Sequence, residues 1–510
     1  MKSIKTILRE SAREYLHPEI AAFAATSGFA IAAALVTAVL LSGCASNILP
    51  SSKLIDPATL ESSKTFSDVD HAGNWPEQAW WTAYGDAELD QLIAQALSGN
   101  PDLRAAQDRL VRANAVVESA RGANQPSLAA NGSAIREKFT ENYIYPPPLG
   151  GSTYTTSTLS LNFGWDLDFW GKDRAAIDAA SANVNAAGAD RAAAQLALAT
   201  SVTRAWFQLE RLYLLHDVIE ESIQQRGDIL NLTTQRVSAG LDTNVELRQA
   251  EAGLPQARLD LMQVEESMAL TRNQISALVG LGPDFGQTLP RPMAHANNTM
   301  ALPATLPAEL IGRRADVVAA RWRVEAASHN IDNAKAQFYP NVNLVAAVGL
   351  ISLEDRLLFK SGSLDESAGP AISLPIFQTS LRANLRSRDA EYDASVEAYN
   401  RIVIDSVKDV ADQIAAVRSI AAQLGQEALA LEKTEAAYAL ARQRYEAGLG
   451  NYLTVLTAET IVLQQRSADA ELKARVLDTN VQLIRALGGG FNTVPTLAQA
   501  STSSNSGALK

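Results

Sequence analysis

Residues able to do covalent or metal chemistry are few in this 510-residue chain. Its one cysteine, Cys44, follows a long apolar run and the small pair Ser42-Gly43. With no second thiol to pair with, it suits acylation better than a disulfide. The five histidines, at 17, 71, 216, 295 and 329, form no metal-ligand spacing. There is no phosphate-binding glycine loop and no nucleophile with a base at informative spacing. No enzyme activity, metal or cofactor is therefore expected, and at net charge −12 nucleic acid is not an expected partner.

The chemistry that remains is polar and lies in two matching segments. Residues 235–252 (QRVSAGLDTNVELRQAEA) align without a gap on 443–460 (QRYEAGLGNYLTVLTAET), with seven of eighteen positions identical. Upstream, 102–126 aligns on 316–340, pairing Asp102 with Asp316, Arg109 with Arg323 and Pro126 with Pro340. Two copies of about 200 residues cannot form a solenoid. They read as duplication within one architecture, 75–280 and 311–488, joined by a linker over 281–310. In each copy a helical stretch ends at Ala-Gly-Leu and a second begins at once, so glycine closes a left-handed turn at tips 239–243 and 447–451.

The elements that carry these tips are long. From Lys172 to Ala239 there is no proline, and strong helix formers dominate. A helix over 172–239 would extend roughly 100 Å, and the second copy repeats it over 379–447. Such helices need partners along their length. Leu198, Val202, Ala205, Leu209, Leu212, His216, Ile219 and Ile223 supply a 4-3 seam, as do Val403, Val407, Val410, Ile414, Val417, Ala421 and Leu424. His216 is expected to pack on this seam rather than ligate.

Between the helices run strand patterns, two per copy: about 127–140 and 156–169, then about 341–351 and 369–377. The clearest is 158–169, where Leu159, Leu161, Phe163, Trp165, Leu167 and Phe169 alternate with Ser160, Asn162, Gly164, Asp166 and Asp168. Ten to twelve alternating residues match the ~9–11 that a tilted strand needs to cross an outer membrane. Four strands cannot close a barrel, and an open edge in lipid is costly. Three copies would make twelve strands around a pore. The fold class expected is therefore mainly α with a membrane β-barrel portion. Loops 136–157 and 351–370 would face the exterior.

The amino terminus reads as an export signal over 1–43: Lys2, Lys5, Arg9 and Arg13, then an apolar run over 20–41. Leu41-Ser42-Gly43-Cys44 resembles a bacterial lipobox, in which the cysteine becomes the acylated first residue. The Ala45-Ser46 that follows resembles the signal for delivery to the outer membrane. Residues 44–74 then form an extended tether and 489–510 a flexible tail.

Taken together, the lipobox, Trp80-Trp81 ahead of Asp86, Asp166-Leu167-Asp168-Phe169-Trp170-Gly171-Lys172, Arg313-Arg314-Ala315-Asp316-Val317, Phe338-Tyr339-Pro340 and both Ala-Gly-Leu tips resemble the TolC-like outer-membrane factors. The likeness spans about 75–488 and is strongest to the lipoprotein branch serving multidrug efflux. It implies a homotrimer with a twelve-stranded barrel, a twelve-helix periplasmic tunnel and a small equatorial belt. It also implies an exit duct for small toxic compounds, lipid-anchored in the outer membrane. Its partners would be a periplasmic adaptor and an inner-membrane transporter of RND or major-facilitator type. Adaptor contact would fall on Arg236, Gly240, Leu241, Arg444, Gly448 and Leu449. Relatives often place acidic residues at the periplasmic gate where this chain has Thr454 and Thr457. Asp242 and Glu246 are the remaining acidic candidates, and Tyr445 matches a residue that holds the closed tip. Two alternatives stay open at this point: a conduit for secreted polypeptides, and a lipid-anchored coiled-coil scaffold with no pore.

Overall fold

A computed structural model describes residues 51–56, 59–60, 73–293, 295 and 310–492. The signal at 1–43, Cys44, His17, His71 and most of the expected tail lie outside the described residues. The first repeat opens with a short 3-10 helix, Trp80–Tyr84, followed by α1 (Ala87–Gly99), α2 (Pro101–Ala123), β1 (Ser127–Lys138), β2 (Thr153–Leu167), α3 (Lys172–Ser238) and α4 (Asn244–Val279). A one-turn helix α5 (Pro283–Gln287) and α6 (Leu310–Arg313) lie in the connection. The second repeat is α7 (Ala315–Ala336), β3 (Asn341–Ser352), β4 (Leu364–Ser373), α8 (Thr379–Glu446) and α9 (Tyr452–Ala486).

The helices are continuous over 67 residues in α3 and 68 in α8, about 100 Å each. α4 folds back along α3, and α9 along α8; α2 and α7 both pack on α3, and α7 also on α8. Side chains close the helix starts. Asp86 accepts from the amides of Glu88 and Leu89 at α1, and Asn100 from those of Asp102 and Leu103 at α2. α7 starts at Ala315, and Arg314 anchors that start on Asp316 (2.7 Å) and Asp409 (3.2 Å).

Leu198, Val202, Ala205, Leu209 and Leu212 of the expected seam are buried against α1 and α9 in the main core. His216, Ile219 and Ile223 are only half-buried. In the second copy Val403, Val410 and Ile414 are buried, but Ala421 is exposed and Ile420 replaces it. On a straight helix Ala421 lies about five turns below Val403 and Ile420 stands about 100° round from it, so the buried face of α8 has turned at this level.

The four strands form one antiparallel sheet in the order β1-β2-β3-β4. Register places Leu128, Phe163 and Ala346 on one line, and Leu161 beside Ala130 and Val348, so one face is apolar. Ser160, Asn162 and Gly164 share the other face with Gly349, Ala347 and Val345. β4 differs from the expected 369–377. It starts at Leu364, opposite Leu350, and ends at Ser373, opposite Asn341. β3 begins only after Pro340, so Leu374 and Ile376 have no strand to pair with. Ile376 and Phe377 project from the end of the sheet that leads into α8, at 81% and 92% exposure. Among the described residues no helix is long and apolar enough to cross a membrane.

Parts of the expected tether and the first residues of the expected tail are packed. Ser51 and Ser52 donate to the Asp393 carboxylate, Ile55 donates to Asn400 Oδ1 (2.8 Å), and Ile55 and Leu60 cover Val317, Val324 and Tyr399. At the other end Gly488, Gly489 and Gly490 approach Arg313, Leu196 and Glu77 so closely that no β-carbon fits. The cause is hydrogen bonds and close contact to distant residues, which local composition does not record.

Candidate functional site: the hairpin tips

Both tips close in the same way. After α3, Gly240 takes φ +74°, its amide bonds Val237 O (3.0 Å) and the Leu241 amide bonds Arg236 O (2.9 Å). After α8, Gly448 takes φ +73°, with Gly448 N bonded to Tyr445 O (3.0 Å) and Leu449 N to Arg444 O (2.8 Å). These paired bonds satisfy the last carbonyls of each helix, and glycine carries the left-handed turn. The return helices are capped by side chains. Thr243 and Glu246 form a capping box at α4, and Asn451 Oδ1 accepts the Thr454 amide (3.0 Å) at α9.

The two turns are joined by a buried polar network. Arg236 Nε and Nη2 donate to the two Asp242 oxygens at 2.7 and 3.2 Å. Its Nη1 donates to Tyr445 O at 3.0 Å, and the guanidinium lies 4.5 Å above the Tyr445 ring. Tyr445 OH donates to Asp242 Oδ2 at 2.6 Å and lies 3.0 Å from the Thr233 hydroxyl. Tyr445 is fully buried, and the Arg236 and Asp242 side chains are about nine-tenths buried. Arg236 hydrogen bonding, followed by the Tyr445 hydroxyl, holds the Asp242 carboxyl below its ordinary value despite burial. Burial and then the Asp242 bond push the Tyr445 phenol up to about 12. The network is thus Arg⁺, carboxylate and neutral phenol across the neutral range.

This arrangement reassigns some of the expected residues. Arg236, expected at an adaptor surface, points inward, because Asp242 and the Tyr445 carbonyl use its donors. Asp242, one of the two acidic gate candidates, has its charge matched by Arg236. Glu246 caps α4 through Thr243, whose hydroxyl bond lowers the carboxyl below its usual range. Gly240, Leu241, Arg444, Gly448 and Leu449 are exposed, with Leu241 at 65% and Leu449 at 72%. Thr454 and Thr457 are exposed too, but their hydroxyls donate to Asn451 Oδ1 (2.7 Å) and Leu453 O (2.8 Å). They line a shallow groove with Ala437, Ala441, Leu453 and Ile461 between α8 and α9.

Two buried polar groups were not singled out by sequence reasoning. Arg226 Nε donates to Glu459 at 2.9 Å and its Nη1 to Gly253 O at 2.8 Å. At the molecular waist, Glu210 holds His295 Nδ1 (2.7 Å), while Asp86 Oδ2 lies 3.3 Å from His295 Nε2 and accepts from Trp206 Nε1 (2.7 Å). Oppositely charged positions on antiparallel helices were the only available signal for the first. His216 comes near Asp217 and Glu220, but Arg291 pairs with Asp217.

The chain matches the family model described as outer membrane efflux protein over residues 92–281 and 306–489. It is 38% identical over 374 residues to the fusaric acid resistance protein FusA of Burkholderia cepacia, covering 72% of this chain and 70% of that one. It is 31% identical over 473 residues to the multidrug resistance outer membrane protein MdtP of Escherichia coli K12, covering 91% and 96%. The crystal structure of the outer membrane protein VceC of Vibrio cholerae superposes with a TM-score of 0.76 at 35% identity, covering 82% of this chain and all of that one. The fold is TolC-like, its place is the outer membrane with extension into the periplasm, and its work is conduction rather than catalysis. On these matches the chain belongs to the outer membrane efflux protein family.

Proposed function

We propose that this protein is the exit duct for small toxic compounds in a pump with a periplasmic adaptor and an inner-membrane transporter, and that its resting state is held by the tip network. The observation that carries the reading is the Arg236–Asp242–Tyr445 lock, which ties the α3–α4 turn to the end of α8 where the tunnel would narrow. Substrate moves down its gradient, and energy comes from the inner-membrane partner, of RND or major-facilitator type. The adaptor contacts Gly240, Leu241, Arg444, Gly448 and Leu449, and opens the lock by binding the separated tips more tightly than the joined ones. A partner with equal affinity for both could not open it. Fusaric acid and the multidrug relatives make aromatic acids and amphiphilic drugs the first substrates to try. Residues 1–43 direct export, and acylation of Cys44 holds the mature chain in the outer membrane, with 44–74 as its tether.

The test is planar-bilayer conductance of the purified trimer, paired with drug-efflux assays of Gly240 or Gly448 replaced by a bulky residue. Weak resting conductance that rises when Asp242 is changed to Ala, together with loss of efflux in intact tip-variant trimers, is the expected result. A trimer that never conducts would return the chain to the scaffold reading. Undiminished efflux in the tip variants would overturn the assignment of the adaptor surface.

A further inference from the structure

Resting on the lock described above, the question is where along the helices the separation stops. α3 and α9 run antiparallel, and cross-repeat ion pairs recur along them. Arg204 meets Asp478 (2.5 Å), Arg211 meets Glu471 (2.8 Å), Glu221 meets Arg466 (2.7 Å), and Arg226 meets Glu459 (2.9 Å). The first three are partly exposed and so weakly coupled. The last is different: Glu459 is 2% exposed, and Arg226 reaches past it to Gly253 O on α4, so one side chain holds three helices. Below this tier, among the described residues, the polar bonds between the two hairpins are those of Arg236, Asp242 and Thr233 with Tyr445. Between pin and lock the contact is apolar, with Ile229 and Ala250 against Tyr438, Tyr452 and Val455.

A second, independent feature lies at the same height. Gly227 lies 11 residues before the end of α3 and Gly253 lies 9 residues after the start of α4, about 15 Å along the helix from the turn in each arm. Neither glycine is demanded by packing. A β-carbon at Gly227 would meet open space, and at Gly253 only ordinary contacts of 3.8 Å with Arg226. Pro255 follows inside α4, where it leaves the Glu251 carbonyl without its helical donor. Helix interiors are thus weakened at one level in both arms of the hairpin.

We propose that Arg226 and Glu459 form a fixed pin, and that the tips pivot at the Gly227–Gly253–Pro255 level when the lock opens. They act as positioning residues for gating. Below the pin the hairpins part; above it they stay joined, so the tunnel wall and barrel are undisturbed by each opening.

The test is amide hydrogen exchange on the full trimer. Both charges are replaced by Met together, since a lone buried charge would itself disrupt the tier. Asp242→Ala should speed exchange about tenfold in 229–250 and 438–458 while leaving 204–221 and 466–478 unchanged. Adding Arg226→Met with Glu459→Met should carry the increase up into 204–221, and the swap Arg226→Glu with Glu459→Arg should confine it again. Spread above the tier with the pin intact, or confinement without it, overturns the pin and leaves the lock standing. No change anywhere in Asp242→Ala overturns lock and pin together. Independently, Gly253→Ala with Pro255→Ala should stiffen the pivot and reduce the conductance of Asp242→Ala trimers about twofold or more. Unchanged conductance places the pivot elsewhere.

Discussion

At the level of single residues the tip depends on one hydroxyl as much as on the ion pair. Tyr445→Phe keeps the ring beneath the Arg236 guanidinium but removes the 2.6 Å bond to Asp242. Losing a hydrogen bond to a charged group costs the closed tip about 1.5–3 kcal/mol, so resting open probability in single-channel records should rise roughly tenfold or more. The pH dependence has a definite sign. Asp242 has a depressed folded value, so its stabilisation is present above the unfolded carboxylate value of about 3.9 and is lost only as pH falls through a still lower one. Resting conductance should therefore be flat from pH 7 to 5, and a rise within that range would mean that another group governs the lock. His295 runs the other way. Burial works against its charge, but the bond and charge of Glu210, with Asp86, raise its value above the ordinary one. Its stabilisation is complete below about pH 6.5 and is lost as pH rises through the raised value. The thermal midpoint should fall on alkalinisation above neutrality, and His295→Gln should remove that slope.

At the level of elements, the sheet makes a sharp prediction because its two faces differ. Leu161 is on the apolar face and Asn162 on the small and polar one, yet they are adjacent in β2. An arginine at the bilayer midplane costs about 2–4 kcal/mol on a lipid face and little in a wet lumen. Leu161→Arg should thus lose heat-resistant trimers on gels, while Asn162→Arg should assemble and shift only ion selectivity. β2 was legible in the sequence because size and polarity alternate together there. β1 was faint because Leu128, Ala130, Gly132 and Ala134 alternate with residues of similar size. β4 was misplaced because Glu366 stands on its apolar face opposite Val348, and because apolar residues continue past its last partner. The glycine turns were legible, since a left-handed residue between two helix-forming stretches has a local signature. The lock was legible only as separate parts: Tyr445 as a tip residue, Asp242 as an acid and Arg236 as a surface cation. The bonds that Tyr445 makes to Asp242 and Arg236 join positions 203 and 209 residues apart, and no local pattern encodes them.

At the scale of the whole molecule, one chain supplies a third of every part of the trimer, with four of twelve strands, four of twelve tunnel helices and two of six tips. Within one chain, apolar side chains on α4 such as Leu259, Met262 and Leu270 stand exposed. The lock is different, because Arg236, Asp242, Thr233 and Tyr445 all come from the same chain. On the proposed function, closure is then built three times over, once inside each protomer, and the pore is shut by the sum of three local equilibria. Breaking one lock removes one set of contacts and leaves the other two intact, so the locks should add nearly independently. Trimers assembled from mixed wild-type and Tyr445→Phe chains should then show graded resting conductance, stepping upward with one, two and three altered copies. If conductance instead stays at the resting level until the third copy is altered, the tips are coupled through contacts between protomers. Closure would then be a property of the ring rather than of the chain.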